Sequence, residues 1–101
     1  MGAQTLKNQK TKELSDLALH FYALKDALRL EMLALLADRE FTVNELADKL
    51  HQSQPLISWH LRRLKTAGIV KIRRSGREVY CSLDRDALAA HQRIFSELVQ
   101  I

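Results

Sequence analysis

From Leu14 onward, apolar residues recur three and four positions apart, at Leu14, Leu17, Phe21, Leu24 and Leu28. That spacing draws one continuous stripe along a helix and marks a packing face. Asp26 is placed to cap a second helix reaching about Asp38. Within it, Leu28, Leu30, Met32, Leu33, Leu35 and Leu36 leave little polar surface, which predicts a central helix enclosed by others. Thr42-Val43-Asn44-Glu45 has the form of a capping box, and Val43, Leu46, Ala47 and Leu50 follow at helical spacing. Ser53 caps a fourth helix, which tolerates Pro55 in its first turn and stops at Gly68. Only His51 and Gln52 separate these two helices, the spacing of a helix-turn-helix. Past Gly68 the period shortens to two: Val70 and Ile72, a Ser75-Gly76 turn, then Val79, Cys81 and Leu83 predict a hairpin. Asp84 caps a last helix to about Val99, with Leu88, Phe95 and Leu98 on a broad apolar side.

The pattern is thus mostly α with a small β-hairpin, five helices in the order α-α-α-α-β-β-α, and residues 1–101 form one domain. The single proline and three glycines agree with a largely helical chain. At 101 residues the core is modest, so burial against a second copy would help it. Residues 1–10 are polar and read as a frayed N-terminal arm. The first thirteen residues lack the apolar core of a signal peptide and no later run approaches a membrane span, so a cytoplasmic address without membrane contact is expected. One cysteine, Cys81, makes no internal disulfide; sharing a strand face with Val79 and Leu83, it should point into the core. A Gly-rich phosphate loop and strongly spaced metal-ligand motifs are both missing, which argues against an enzyme.

Charge changes the picture. Net charge is only +4, yet residues 53–80 hold seven bases against the one acid Glu78. Such concentration is the electrostatic footprint of contact with a phosphate backbone. On the fourth helix Ile57, Leu61 and Leu64 fall together and face inward, leaving Pro55, Trp59, Arg62, Arg63 and Thr66 opposite. An exposed Trp between arginines suggests a partner; the alternative is a Trp covered by the N-terminal arm. Gln54, Ser58 and His60 lie nearer the helix start, where base edges are approached: Gln suits adenine, Arg suits guanine and Ser either. His60 borders the buried stripe and could equally satisfy neighbouring groups. Arg73, Arg74 and Arg77 surround the hairpin turn, with Glu78 placed to orient one of them. Charge there also serves solvation or blocks edge pairing.

In combination these segments resemble the ArsR family of winged helix-turn-helix repressors, from about Leu14 to Leu98. The residues carrying the resemblance are Leu24-Lys25-Asp26-Ala27-Leu28-Arg29-Leu30, Thr42-Val43-Asn44-Glu45-Leu46-Ala47, Ser53-Gln54-Pro55-Leu56-Ile57-Ser58-Trp59-His60-Leu61, Leu64-Lys65-Thr66-Ala67-Gly68-Ile69-Val70 and Arg74-Ser75-Gly76-Arg77-Glu78-Val79-Tyr80. The resemblance implies a homodimer built by the first and last helices, bound to a pseudo-palindromic duplex DNA operator and released by an inducer, here of unknown small-molecule chemistry. The expected DNA contacts are Gln54, Ser58, Trp59, Arg62, Arg63 and Lys65 from a recognition helix over about 53–67, with Arg73, Arg74 and Arg77 from a basic wing over about 69–83. The expected dimer contacts are Leu14, Leu17, Phe21, Leu88, Phe95 and Leu98.

The family's metal-sensing positions depart from its pattern. Thr42 and Asn44 stand where thiolates would be, and Asp84, Asp86, Glu97 and Gln100 form an oxygen-rich set better read as a helix cap and solvated face. No cofactor or metal is expected. His20 and His91 could meet across the dimer or be ordinary core histidines. The competing function is a winged-helix module that binds an acidic protein through Trp59 and its arginines.

Overall fold

The computed structural model describes the backbone of residues 2–101 and the side chains of residues 10–101. Eight elements follow one another: α1 (Gly2–Leu24), α2 (Ala27–Leu36), β1 (Phe41–Thr42), α3 (Val43–Leu50), α4 (Gln54–Thr66), β2 (Val70–Ser75), β3 (Glu78–Leu83) and α5 (Arg85–Val99). Of the arm expected over residues 1–10, Met1 lies outside the described residues and the rest continues the backbone of α1.

Local chemistry sets the helix starts. The carboxylate of Asp26 accepts from the Arg29 amide (3.1 Å) and that of Asp84 from the Ala87 amide (3.1 Å). Thr42 and Glu45 cap reciprocally: Thr42 Oγ1 accepts from the Glu45 amide (3.1 Å), and Glu45 Oε1 accepts from the Thr42 amide (2.9 Å). Ser53 Oγ accepts from the Leu56 amide, and Gly68, at φ +76°, takes the left-handed position just past α4. Between α3 and α4 the same left-handed position is held by His51 (φ 54°), one of the few non-glycine residue types enriched there.

The core joins Met32 and Leu36 of α2, Leu46 and Ala47 of α3, and Ile57, Leu61 and Leu64 of α4 to Phe41, Ile69, Val70 and Cys81. Two features differ from expectation. First, Leu28 belongs to α2, not to the α1 stripe, because Asp26 starts a new helix. Second, α2 is not enclosed all round: Leu30 is about half exposed, while the inner face at Arg29, Met32 and Leu36 includes an arginine. The helix packs through one side, and Leu30, Glu31 and Ala34 on the other remain exposed.

The sheet has three strands, not two, in the order β1-β3-β2. Phe41 and Thr42 pair antiparallel with Cys81 and Tyr80, so the hairpin is fastened to the segment entering α3. Across the hairpin Ile72 opposes Cys81, Arg73 opposes Tyr80 and Arg74 opposes Val79. Cys81 is fully buried, and burial, with the nearby charge of Glu40 second, pushes its thiol up to about 11. A protonated, enclosed thiol is a poor nucleophile and here serves as packing.

Candidate nucleic-acid interface

Gln54, Ser58, Arg62 and Lys65 succeed one another by four, four and three residues, so they share one flank of α4. That flank faces the hairpin. Ser58, Arg62 and Lys65 line a cleft of about 460 Å³ with Ile72 and Arg74 of β2 and Val79 of β3. Gln54 and Ser58 continue it into a smaller depression beside Arg77, Glu78 and Asn44. Asn44, part of the capping box and the replacement of a thiolate in the sequence, also lines this depression. Its place at the start of α3, against α4, becomes visible only when the two helices are packed.

Three bases therefore line the cleft and a fourth, Arg77, the depression that adjoins it, and none of Arg62, Lys65, Arg74 and Arg77 takes part in an ion pair among the described residues. Their charge is uncompensated at short range, which favours a polyanion. Glu78 orients no arginine by an ion pair among the described residues.

The other expected contacts lie elsewhere. Trp59 and Arg63, four apart, turn toward α1 and line a separate depression with Leu19, Tyr22, Ala23 and Thr66. The Arg63 guanidinium lies 4.5 Å from the centre of the Trp59 ring, which is 40% exposed. The single outward face read from the helix thus divides in two, because the wing takes one flank and α1 the other. Arg73 is one residue out of phase with Ile72 and Arg74, so strand alternation sends it to the opposite face of the sheet. There it pairs with Glu40 (2.7 Å) and covers the Tyr80 ring at 4.4 Å. His60 is buried, and its Nδ1 accepts from Arg29 Nε at 3.0 Å, so it is a satisfied core residue rather than a base-reading one.

The residues expected to join two copies occupy the α1–α5 side. Phe21 and Phe95 meet edge to face with centroids 5.0 Å apart, and both remain more than a third exposed, as do Leu14 and Leu98. Leu17 is already buried within the chain, and Leu88 packs against the core, so these two support the face from beneath. His20 and His91 meet inside one chain, at 4.3 Å between ring centres, and need no second copy to do so. Both Nδ1 atoms are buried without a hydrogen-bond partner. Asp84 is occupied as a cap, Glu97 faces Arg93 at 3.9 Å, and no group of three metal-ligating side chains occurs among the described residues.

Burial, and secondarily the charge of His91, lowers the pKa of His20 below its ordinary 6.5; burial also lowers that of His60. The unfolded chain then binds these protons more readily than the folded one. Their contribution to stability is complete above pH 6.5 and is lost as pH falls from there toward the lower folded values. At fixed chain concentration the urea midpoint should fall between pH 7.5 and 5.5, above the range where the carboxylates titrate. His20→Leu should shallow that fall, and an identical slope in the variant would show that His20 does not carry it.

A family model described as "Bacterial regulatory protein, arsR family" matches residues 26–71. The chain is 41% identical over 66 residues to the HTH-type transcriptional regulator KmtR of Mycobacterium tuberculosis, covering 65% of this chain and 51% of that one. It is 35% identical over 68 residues to the transcriptional repressor SdpR of Bacillus subtilis, covering 67% and 76%. The chain spans about half the length of several of the curated relatives it matches. Among solved structures, the homodimeric winged helix-turn-helix DNA-binding domain of a possible ArsR-family regulator from Mycobacterium bovis superposes with a TM-score of 0.75, at 27% identity, over 90% of this chain and 85% of that one.

Proposed function

Since the chain belongs to the ArsR family of bacterial regulatory proteins, we propose that it is a homodimeric, sequence-specific DNA-binding repressor acting in the cytoplasm. The family is one of transcriptional regulators rather than enzymes. The observation carrying the reading is the cleft between α4 and the hairpin, where Arg62, Lys65, Arg74 and Arg77 stand without carboxylate partners beside Gln54 and Ser58.

In this reading α4 enters the major groove from its capped N-terminal end. Gln54, Ser58 and Arg62 meet base edges, Lys65 and Arg74 meet phosphates, and Arg77 at the wing tip reaches the next stretch of backbone. Trp59 and Arg63 buttress α4 from the α1 side, and Arg73 stiffens the wing through Glu40 and Tyr80. The exposed side chains Leu14, Phe21, Phe95 and Leu98 supply the contact between two copies, with Leu17 and Leu88 behind them. The named relatives include repressors, and the superposing Mycobacterium bovis domain is a homodimer, which supports both parts. No helix among the described residues is long and apolar enough to cross a membrane.

The test is salt-dependent binding to a palindromic duplex selected from genomic fragments. Affinity should fall steeply with added salt, and Arg77→Ala, which removes one phosphate contact from each half-site, should reduce the slope of log K against log salt by about two for the dimer. Arg62→Ala should weaken binding roughly 5- to 150-fold per half-site and relax preference at one base pair in each. Affinity indifferent to salt would sink the reading.

A further inference from the structure

The depression between α1 and α4 is chemically unlike the DNA-facing cleft. It is about 330 Å³, and three large apolar side chains, Leu19, Tyr22 and Trp59, stay about 40 to 55% exposed around it. No acidic residue lines it, and Arg63 stands at its wall. Lys25 adds charge at the rim, its Nζ 4.6 Å from the Tyr22 ring centre, and the Arg29 guanidinium lies 5.6 Å from that of Trp59. None of these three cations is in an ion pair among the described residues.

We propose that this depression is an effector site for a small aromatic carboxylate. The ring of the ligand lies in the depression against the apolar surfaces of Leu19, Tyr22 and Trp59, and its carboxylate takes the fork of Arg63 in two parallel hydrogen bonds. Each half of the ligand answers one half of the lining. The volume suits one or two rings. A phosphate of the DNA backbone would use the cations and leave the aromatic walls in water, so it is the poorer occupant.

The site is connected to the recognition helix. Ala23, in the lining, offers its carbonyl to Arg29 Nη1 at 3.2 Å, and the same guanidinium donates through Nε to His60 Nδ1 on α4 at 3.0 Å. A ligand wedged between α1 and α4 therefore bears on the contact that sets their separation and changes how α4 presents Gln54, Ser58 and Arg62. That regulatory half rests on the DNA-binding reading; occupancy of the site does not.

Trp59 is the chain's one tryptophan, so its fluorescence reports this site alone. Titration of the full chain with phenylacetate should give a saturating change in about the millimolar range or below. Phenylacetamide, which lacks the charge, and acetate, which lacks the ring, should each bind about tenfold more weakly or worse. Arg63→Gln should weaken phenylacetate by about tenfold without altering the far-ultraviolet dichroism, and Tyr22→Ala should weaken both phenylacetate and its amide. A linear, unsaturating response overturns the site, as does equal affinity for the amide or indifference to Arg63→Gln. A Trp59 change that follows chain concentration without ligand also overturns it, since a second copy then covers the depression. With binding established, saturating phenylacetate should shift the affinity for a labelled operator at least about threefold, and an unmoved affinity overturns the effector role. A chain that binds phenylacetate but no duplex contradicts the DNA-binding reading and leaves the carboxylate site standing.

Discussion

Arg29→Met is expected to lower the free energy of unfolding by about 3 kcal/mol, a large part of what a domain of this size possesses. Arg29 is only 6% exposed, yet it is in no ion pair among the described residues. Its guanidinium instead closes the end of α1 by donating to the Ala23 carbonyl and holds α4 by donating to His60. Methionine keeps most of the volume and leaves both acceptors buried without donors, at about 1–3 kcal/mol each. Arg29→Lys keeps the charge but replaces a planar fork with a single ammonium, so it should recover less than half of the loss. Urea unfolding of the three proteins at equal chain concentration measures this. A loss below about 1 kcal/mol in Arg29→Met would show that the acceptors find other donors.

Phe21→Glu should separate the dimer and reduce affinity for a palindromic operator by more than about 100-fold, while affinity for a single half-site stays within a few-fold. Phe21 is 43% exposed within one chain and packs edge to face on Phe95, which is itself partly exposed. A carboxylate there puts a charge on the apolar face proposed to join the two copies, where it would lose water without a cationic partner. Operator binding weakens because two half-sites joined in one particle engage at a high effective concentration, whereas separate chains must bind one at a time. Light scattering together with gel shifts on full and half operators gives both readings, and thermal melting checks that the chain remains folded. A dimer of unchanged mass would move the interface away from α1 and α5.

What could be read from the chain divides by range. The caps at Asp26, Thr42, Ser53 and Asp84 are three-residue relations, and all four appear where the local pattern put them. β1 is only two residues long, so no alternation announces it; it exists because β3 offers a partner edge. The left-handed conformation of His51 is tolerated by its side chain but set by the turn between two helices, so the residue type alone does not announce it. Nothing in the local pattern marks Arg29 for burial on a leucine-rich helix, and only the approach of His60, thirty-one residues later, gives it a buried role. The candidate DNA residues were legible as a charge-rich segment, but not their distribution. Helical phase could not say which flank of α4 the hairpin would take. Phase in a strand did carry the position of Arg73, since residues 72 and 74 alternate against it.

The sheet order carries a consequence for crowding. With β3 bonded on both sides, β2 is the outer strand of the wing, the one with backbone groups left to pair with another chain. Many copies gathering on adjacent operator sites would bring such borders close together, at concentrations where strands can zip into aggregates. Lys71, Arg73 and Arg74 populate that border, all exposed, so neighbouring wings repel one another. The same arginine-rich composition that draws the wing to a polyanion thus keeps it from recruiting its own kind.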